Sequence, residues 1–184
     1  MRRVLAGEAS MSVEKLSRLP LFRNIPADSL SNLLEVCPTT SYRIAARIFE
    51  QGSPADQALL LLDGRLEVSV KNGSTHQHVG EIHPGEVVGE QALFVSGGLR
   101  NASVFANQPS TALILSPRLF QSGSDDPAIA ALERHLIATL SRRIRKTNLE
   151  IQKAWKASRV EEAEEVAEAP TFRARLRSMF GGRF

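Results

Sequence analysis

The chain opens with a helical pattern of apolar positions. Between Ser12 and Val36 the apolar residues recur three or four positions apart, which is the spacing of one helix face. A turn at residues 23–26, which ends in a proline, divides this stretch into two helices. The residues that carry the pattern are Leu16, Leu19, Leu21, Phe22, Leu30, Leu33 and Leu34.

After Pro38 the pattern changes to that of strands. Short segments rich in branched residues alternate with Gly, Pro, Asn and Ser, which is typical of a β-sandwich or barrel. The dipeptides Asp63-Gly64 and Asn72-Gly73 predict tight turns of the hairpin type. The predicted strands, in chain order, are YRIAARIF, ALLLLDG, RLEVSV, HVGEIH, ASVFA and TALILS.

A helical period returns at Asp126. Part of its apolar set alternates three- and four-residue steps, as the seam of a coiled coil does. A helix that only covers the barrel would show a similar spacing, so both interpretations stay open. The seam residues are Ile137, Leu140, Ile144, Thr147, Ile151 and Ala154.

These patterns predict a mainly β fold with flanking helices, divided into four regions. Residues 1–11 are expected to be a disordered leader, and residues 12–125 a β domain with N-terminal helices. Residues 126–159 are expected to form one long helix that acts as a lid or a dimer seam. Residues 160–184 read as an acidic linker followed by a basic amphipathic tail.

Composition places the chain among ordinary water-soluble proteins. Its 184 residues are enough for one domain with a substantial core. A formal charge of +3 is too small to indicate an anionic partner by itself. The sequence has no apolar run long enough for a membrane span and no apolar stretch typical of a secretion signal. The single cysteine, Cys37, excludes an internal disulfide. We therefore expect a cytoplasmic protein.

The segment VVGEQALFVSGGLRNASVF, residues 87–105, places an acid and a base around a glycine-rich connection. Gly89 permits a tight backbone and close approach of a ligand. Residues 90–93 are expected to form one helical turn whose free N–H groups attract an anion. Arg100 supplies a positive charge and a planar fork of donors that suits phosphate oxygens. Glu90 is better placed to accept a hydrogen bond from a sugar hydroxyl. The residues therefore indicate a sugar phosphate with one compact anion.

This segment resembles the phosphate-binding cassette of the cyclic nucleotide-binding domain family, which includes the bacterial catabolite activator proteins and the regulatory subunits of protein kinase A. The family's cassette reads approximately Gly-Glu-x-Ala-Leu, a variable loop, then Arg-x-Ala-Ser/Thr-Val. Here it stands as GEQAL at 89–93 and RNASV at 100–104. FEQGSPADQALLLLDGRLEV at 49–68 and LPLFRNIPADSLSNLL at 19–34 also resemble the family. The resemblance covers residues 14 to about 155 and implies a β-roll, or jelly roll, with a long C-terminal helix.

The resemblance also implies which residues bind the ligand. Glu90 would accept a hydrogen bond from the ribose 2′-hydroxyl, and Arg100 would bind the cyclic phosphate. The backbone N–H of Ala92, together with Asn101, would complete the phosphate cradle. Asn101 stands where the family more often has Ser, Thr or Ala, and this departure leaves the choice of base open. The cassette residues assigned to ligand binding are Gly89, Glu90, Gln91, Ala92, Arg100, Asn101 and Ala102.

The helix after the barrel is expected to contact the base. SRRIRKTN, residues 141–148, resembles a segment of the catabolite activator proteins that meets adenine across the dimer. Thr147 and Asn148 occupy the matching positions. This match favours cyclic AMP over cyclic GMP as the ligand, and it adds a homodimer through the helix seam as a hypothesis.

The function implied is a regulatory sensor that reports cyclic nucleotide occupancy to a partner through the helix. No nucleophile, base and acid are arranged as in an enzyme, and no cofactor or metal is expected. Two alternatives stay open: a degenerate cassette in an interaction platform, and a plain surface ion pair between Glu90 and Arg100. His76, His78 and His83 are interpreted as structural residues, with a metal site as the alternative.

The tail is the remaining candidate for an interaction. At helical spacing, residues 171–184 place Phe172, Leu176, Met179 and Phe180 on one face edged by arginines. Such a tail suits an anionic membrane surface or an acidic groove on an effector protein, and a solvated disordered terminus is the alternative. Direct DNA binding is not expected, because few residues follow the long helix and the acidic ones among them would repel phosphates.

Overall fold

The computed structural model of the chain describes residues 13–121 and 125–168. The expected leader at 1–11 and the amphipathic tail at 171–184 lie outside the described residues. None of the helices within the described part combines the length and the apolar character that a membrane span requires.

Two four-stranded antiparallel sheets form the body of the fold. The first has the order β1-β8-β3-β6 and the second the order β2-β7-β4-β5. This arrangement confirms the predicted mainly β fold of the β-roll type. The strands are β1 (Thr39–Tyr42), β2 (Arg47–Phe49), β3 (Ala58–Asp63), β4 (Leu66–Asn72), β5 (Thr75–Ile82), β6 (Val87–Val88), β7 (Ser103–Ala106) and β8 (Ser110–Leu115).

Helices lie before and after the strands, as predicted. Residues 13–18 are helical (α1), α2 spans Ala27–Val36 and α3 spans Pro127–Glu168. Single 3₁₀ turns are formed by Pro20–Phe22, Glu90–Leu93 and Pro117–Phe120. The helix α3 continues to Glu168, past the end expected near 159, so the acidic run that the sequence suggested was a linker is helical as far as that residue.

The strand β3 explains where the two cores lie. Its first five residues are all buried, because alternate side chains enter different clusters. Leu59 and Leu61 pack between the two sheets, where they meet Phe49 and Val104 among others. Ala58, Leu60 and Leu62 instead pack against the helices, together with residues of α2 and the first turns of α3. A strand covered on both faces reads as a continuous apolar run, as ALLLL does.

Two expectations about the strands were wrong, and one short strand was missed. YRIAARIF is not one strand, because Ala45 adopts a left-handed φ of 63° and the chain passes there from the first sheet to the second. Asp63-Gly64 is not a hairpin turn, since β3 and β4 belong to different sheets. Val87–Val88 pairs with β3 as a short strand that the pattern did not reveal. The Asn72-Gly73 hairpin is confirmed by the pairing of Asn72 with Thr75.

The start of α3 is fixed by Asp126, directly before Pro127. Its Oδ1 accepts a hydrogen bond from the N–H of Ala128 at 2.8 Å, and Pro127 occupies the first helical position. The hydroxyl of Ser29 in α2 donates to the same carboxylate and accepts from the Ala128 N–H at 2.9 Å. These contacts tie α2 to the first turn of α3. The packing of the chain divides into two units between Ile137 and Ala138, so the distal part of α3 is described by itself.

We predict that Asp126→Ala lowers the free energy of unfolding by about 0.5–2 kcal/mol near neutral pH. Burial raises the pKa of the Asp126 carboxyl, but the hydrogen bonds from Ser29, Ala128, Ile129 and Asn32 outweigh it and hold the pKa below its ordinary value. A carboxyl with a depressed folded pKa stabilises the fold above its unfolded pKa, and loses that effect as the pH falls through the folded value.

Urea unfolding followed by circular dichroism at about pH 7 and about pH 3 checks this prediction. The stability difference between the native protein and Asp126→Ala should shrink in acid. The difference between Asp126→Asn and Asp126→Ala should not change with pH, because an amide caps without titrating. An equal gap between native protein and Asp126→Ala at both pH values would contradict the assignment.

Candidate functional site

The turn at Glu90–Leu93 begins at a glycine in a left-handed conformation. Gly89 has a φ of 78°, which ends β6 and starts the 3₁₀ turn. Ala92 and Leu93 are buried and anchor the turn in the fold. Glu90 is buried as well, with 8% of its surface exposed. It is therefore not the surface carboxylate that a plain solvent-exposed ion pair would require.

The backbone of Arg100 is held by the connection between β2 and β3. Its N–H donates to the carbonyl of Ser53, and its carbonyl accepts from the N–H of Gly52, both at 2.8 Å. A third bond joins the Ala55 N–H to the Gly98 carbonyl at 2.9 Å. These hydrogen bonds to the segment FEQGSPAD therefore fix the position of the Arg100 backbone.

The Arg100 side chain is inside the protein, with 5% of its surface exposed. The Phe49 ring covers one face of the guanidinium, with 3.6 Å between Cζ and the ring centroid. Nη2 lies 3.6 Å from Oδ1 of Asp56, whose side chain is 82% exposed. Nη1 is shielded from solvent and has no hydrogen-bond partner among the described residues. The site thus contains a buried cation with one unsatisfied donor.

Burial lowers the pKa of the Arg100 guanidinium from its ordinary value, and the nearby Asp56 carboxylate opposes that change. The group nevertheless stays charged, since an arginine does not deprotonate under ordinary conditions. A buried donor without a partner destabilises the fold by about 1–3 kcal/mol, and more for a charged group. An anion that reached Nη1 would remove this penalty.

Gly89 is required beside this guanidinium for space as well as for backbone conformation. A Cβ built on Gly89 would lie 2.6 Å from Nη1 of Arg100 and 3.0 Å from the Phe49 ring. Any other residue would push the guanidinium away from the turn. The first half of the cassette and the arginine of the second half are therefore in direct contact.

The other cassette residues are partly as expected. The Asn101 side chain donates through Nδ2 to Oε1 of Gln91 at 2.7 Å, so the two halves of the cassette are bridged. The N–H of Ala92, expected to face the phosphate, donates to the Gly89 carbonyl at 3.1 Å. Ala102 is half-buried in the same segment. The structure thus joins the two halves of the cassette at two places, Gly89 against Arg100 and Gln91 against Asn101.

Thr147 and Asn148 are both exposed on the distal part of α3. They belong to the second unit of the chain. Their contact with the base therefore stays a prediction.

The sequence did not assign a role to Phe49 or to Asp56, although both lie in a segment that resembles the family. Together with Arg100 they line a cavity of about 310 Å³. Their contacts with Arg100 join parts of the chain that are far apart in sequence, so no local spacing could reveal them. The FEQGSPAD segment itself was the available signal, because it carries both residues.

The histidines of the β4–β5 hairpin lie near carboxylates. Nδ1 of His78 is 3.2 Å from Glu67, and Nε2 of His83 is 3.8 Å from Glu81. Among the described residues no three of the His, Cys, Asp and Glu side chains are grouped so that they could hold a metal ion.

A family model for the cyclic nucleotide-binding domain matches residues 39–123, a range that contains both sheets and the whole cassette. Glutaminase 1 of Bradyrhizobium diazoefficiens is 32% identical over 98 residues, which are 53% of this chain and 15% of that enzyme. The cGMP-dependent protein kinase 2 of Mus musculus is 26% identical over 165 residues, which are 86% of this chain and 21% of that kinase. The chain thus spans only a small part of the length of these curated relatives.

A solved structure supports the same assignment. The catabolite activator protein of Thermus thermophilus is 25% identical and superposes with a TM-score of 0.60, over 73% of this chain and 62% of that one. The matched range, the two-sheet topology and the cassette around Arg100 all point to the same family. The segment at residues 39–123 therefore matches the cyclic nucleotide-binding domain family in sequence and in fold.

Proposed function

We propose that this protein is a non-enzymatic sensor that binds a cyclic nucleotide, with cyclic AMP favoured, and reports its occupancy to a partner. The observation that supports the proposal is Nη1 of Arg100, a buried, charged donor without a hydrogen-bond partner among the described residues. A cyclic phosphate carries one negative charge and two free oxygens, which suit the edge of a guanidinium. In this proposal Glu90 accepts a hydrogen bond from the ribose 2′-hydroxyl.

The enclosure of Nη1 couples binding to movement. Gly89 lies against Nη1, so an anion reaches that atom only if the turn shifts, while the guanidinium stays on the Phe49 ring. Leu93 in that turn packs in the same core as Ile129, Leu132 and Leu136 of α3. A displacement of the turn therefore changes the packing at the first turns of α3. The free energy that can be transmitted is limited by how much better the ligand binds one arrangement than the other.

The relatives suggest where such a sensor is used. Glutaminase 1 and the cGMP-dependent kinase are enzymes much longer than the matched segment. We infer that the shared segment regulates rather than catalyses, and that this chain acts on an effector protein in a similar way. The name of the kinase makes cyclic GMP the competitor to test against cyclic AMP.

Isothermal titration calorimetry with cyclic AMP and with cyclic GMP tests the proposal. We expect binding of cyclic AMP, and a loss of about 2–5 kcal/mol for Arg100→Ala, because truncation removes one side of a desolvated charge pair. That loss corresponds to roughly 30-fold to several-thousand-fold in Kd.

The matched control is Arg65→Ala, which removes an arginine that also lies near a carboxylate, 3.5 Å from Glu81, but outside the cassette. Its affinity should stay close to that of the native protein. Absence of heat and of thermal stabilisation with both nucleotides would favour the alternative of an interaction platform with a degenerate cassette. Unchanged affinity in Arg100→Ala would contradict the site.

A second prediction concerns Gly89→Ala. The new Cβ would collide with the Arg100 guanidinium, and the left-handed φ adds a destabilisation of about 1–2 kcal/mol. Gly73→Ala is the matched control, because Gly73 also has a positive φ, of 61°, but a Cβ there would meet nothing within 4 Å.

Both glycine variants should lose stability in thermal unfolding, and only Gly89→Ala should also lose nucleotide affinity in calorimetry. Equal affinities of the two variants would show that contact between Gly89 and Arg100 does not matter for binding.

We further propose that two copies associate through the distal part of α3. Its seam side chains include two exposed apolar residues, Ile144 at 61% and Ile151 at 42% of their surface. In a parallel pair, Thr147 and Asn148 would lie beside the partner helix. In this proposal they contact the base of the nucleotide bound in the second subunit. Apolar positions at alternating three- and four-residue steps are what such a pairing requires.

Sedimentation velocity at tens of micromolar tests this association. Ile144→Gln should shift the protein toward the monomer. Leu149→Gln, which alters a 56% exposed apolar residue outside the seam, should not. A monomeric native protein with and without nucleotide would contradict both the dimer and the contact of Thr147 and Asn148 with a base in the second subunit.

A further inference from the structure

The Phe49 ring is held in place by the core between the sheets. Phe49 is 7% exposed and belongs to a cluster with Leu59, Leu61 and Val88, among others. Its backbone pairs with Val104 of β7, four residues after Arg100. The ring is therefore a rigid surface rather than a mobile side chain that happens to touch the arginine.

The ring and an anion would use different parts of the guanidinium. A guanidinium donates its hydrogen bonds within its own plane, whereas an aromatic ring is attracted to its face. Phe49 covers the face, with 3.6 Å from Cζ to the ring centroid. Asp56 takes one edge at 3.6 Å, and the edge at Nη1 keeps a donor without a partner. Stacking therefore does not compete with an anion for donors.

We propose that Phe49 is a positioning residue that holds the plane of Arg100 ready for the nucleotide's phosphate. The proposal rests on the proposed function, since it needs the phosphate to bind Arg100. It goes beyond that function in assigning to an apolar core residue a part of the affinity for the ligand. A free arginine side chain has many rotamers, and ordering one of them on binding weakens affinity. Phe49 orders the side chain before the ligand arrives.

The size of the effect follows from the ordering cost of one rotamer-rich side chain. Without the stacking surface, Kd for cyclic AMP should rise by about 2- to 13-fold. Removal of Arg100 itself should have a larger effect, because it deletes the charge as well. Phe49 should change affinity by altering how Arg100 is held, with no contact of its own to the phosphate.

Replacement of Phe49 by trifluorinated phenylalanine in the full chain isolates the electrostatic part, because fluorine withdraws electron density from the ring face with little change in volume. We expect Kd for cyclic AMP to rise within that range, while the thermal unfolding temperature stays nearly constant. Phe49→Leu removes the whole stacking surface, so it should show an equal or larger loss of affinity together with a loss of stability. Phe105→Leu, at a half-buried aromatic residue of β7, is the matched control and should leave Kd unchanged.

A second readout follows Arg100 directly. In the nucleotide-free protein, NMR relaxation should show that the Arg100 Nε–H group is rigid, and its chemical shift should be displaced by the ring current of Phe49. Both the rigidity and the displacement should be lost in Phe49→Leu. Native affinity in the fluorinated protein and in Phe49→Leu would overturn the proposal. If the native protein binds no nucleotide, the proposed function fails. An Arg100 resonance that is mobile and unshifted in the native protein would overturn the positioning role independently of ligand binding.

Discussion

A permanently charged guanidinium held inside the protein is the constraint on which the site depends. Water cannot solvate Nη1 of Arg100, and no described side chain or backbone group replaces that water. The surroundings limit the penalty through the π face of Phe49 and the exposed carboxylate of Asp56, but they do not remove it. A small anion at Nη1 would satisfy this donor. That interaction favours binding at this site over binding elsewhere on a protein of nearly balanced charge.

The scaffold links that cation to both cores. Phe49 belongs to the core between the sheets, and Leu93 of the cassette turn belongs to the core shared with α2 and the first turns of α3. The strand β3 separates these cores and contributes to each with alternate side chains. Because packed cores do not deform continuously, a shift of the turn around Arg100 is expected to be passed to the packing at the start of α3. Binding and signalling would then share one set of contacts.

Local patterns were sufficient for most of the element types, and the resemblance to a known family located the cassette, but neither revealed the contacts between distant segments. The apolar run of β3, the Asn72-Gly73 hairpin and the helical period after Asp126 are local signals, and each was correctly interpreted. The corner at Ala45 was missed, because neither glycine nor proline marks it and tertiary pairing forces its φ of 63°. The stacking of Phe49 on Arg100 and the pairing with Asp56 join residues with no common spacing. The sequence therefore indicated Arg100 as a candidate ligand-binding residue, but it did not indicate the residues that contact its side chain.

A crystal structure of the protein with cyclic AMP tests the central claim most directly, through the distance between Nη1 of Arg100 and the nearest phosphate oxygen. The account predicts a charge-assisted hydrogen bond of about 2.7–2.9 Å, with the guanidinium still stacked on Phe49. A complex in which the phosphate lies elsewhere, and in which Nη1 remains enclosed and without a partner, would contradict it.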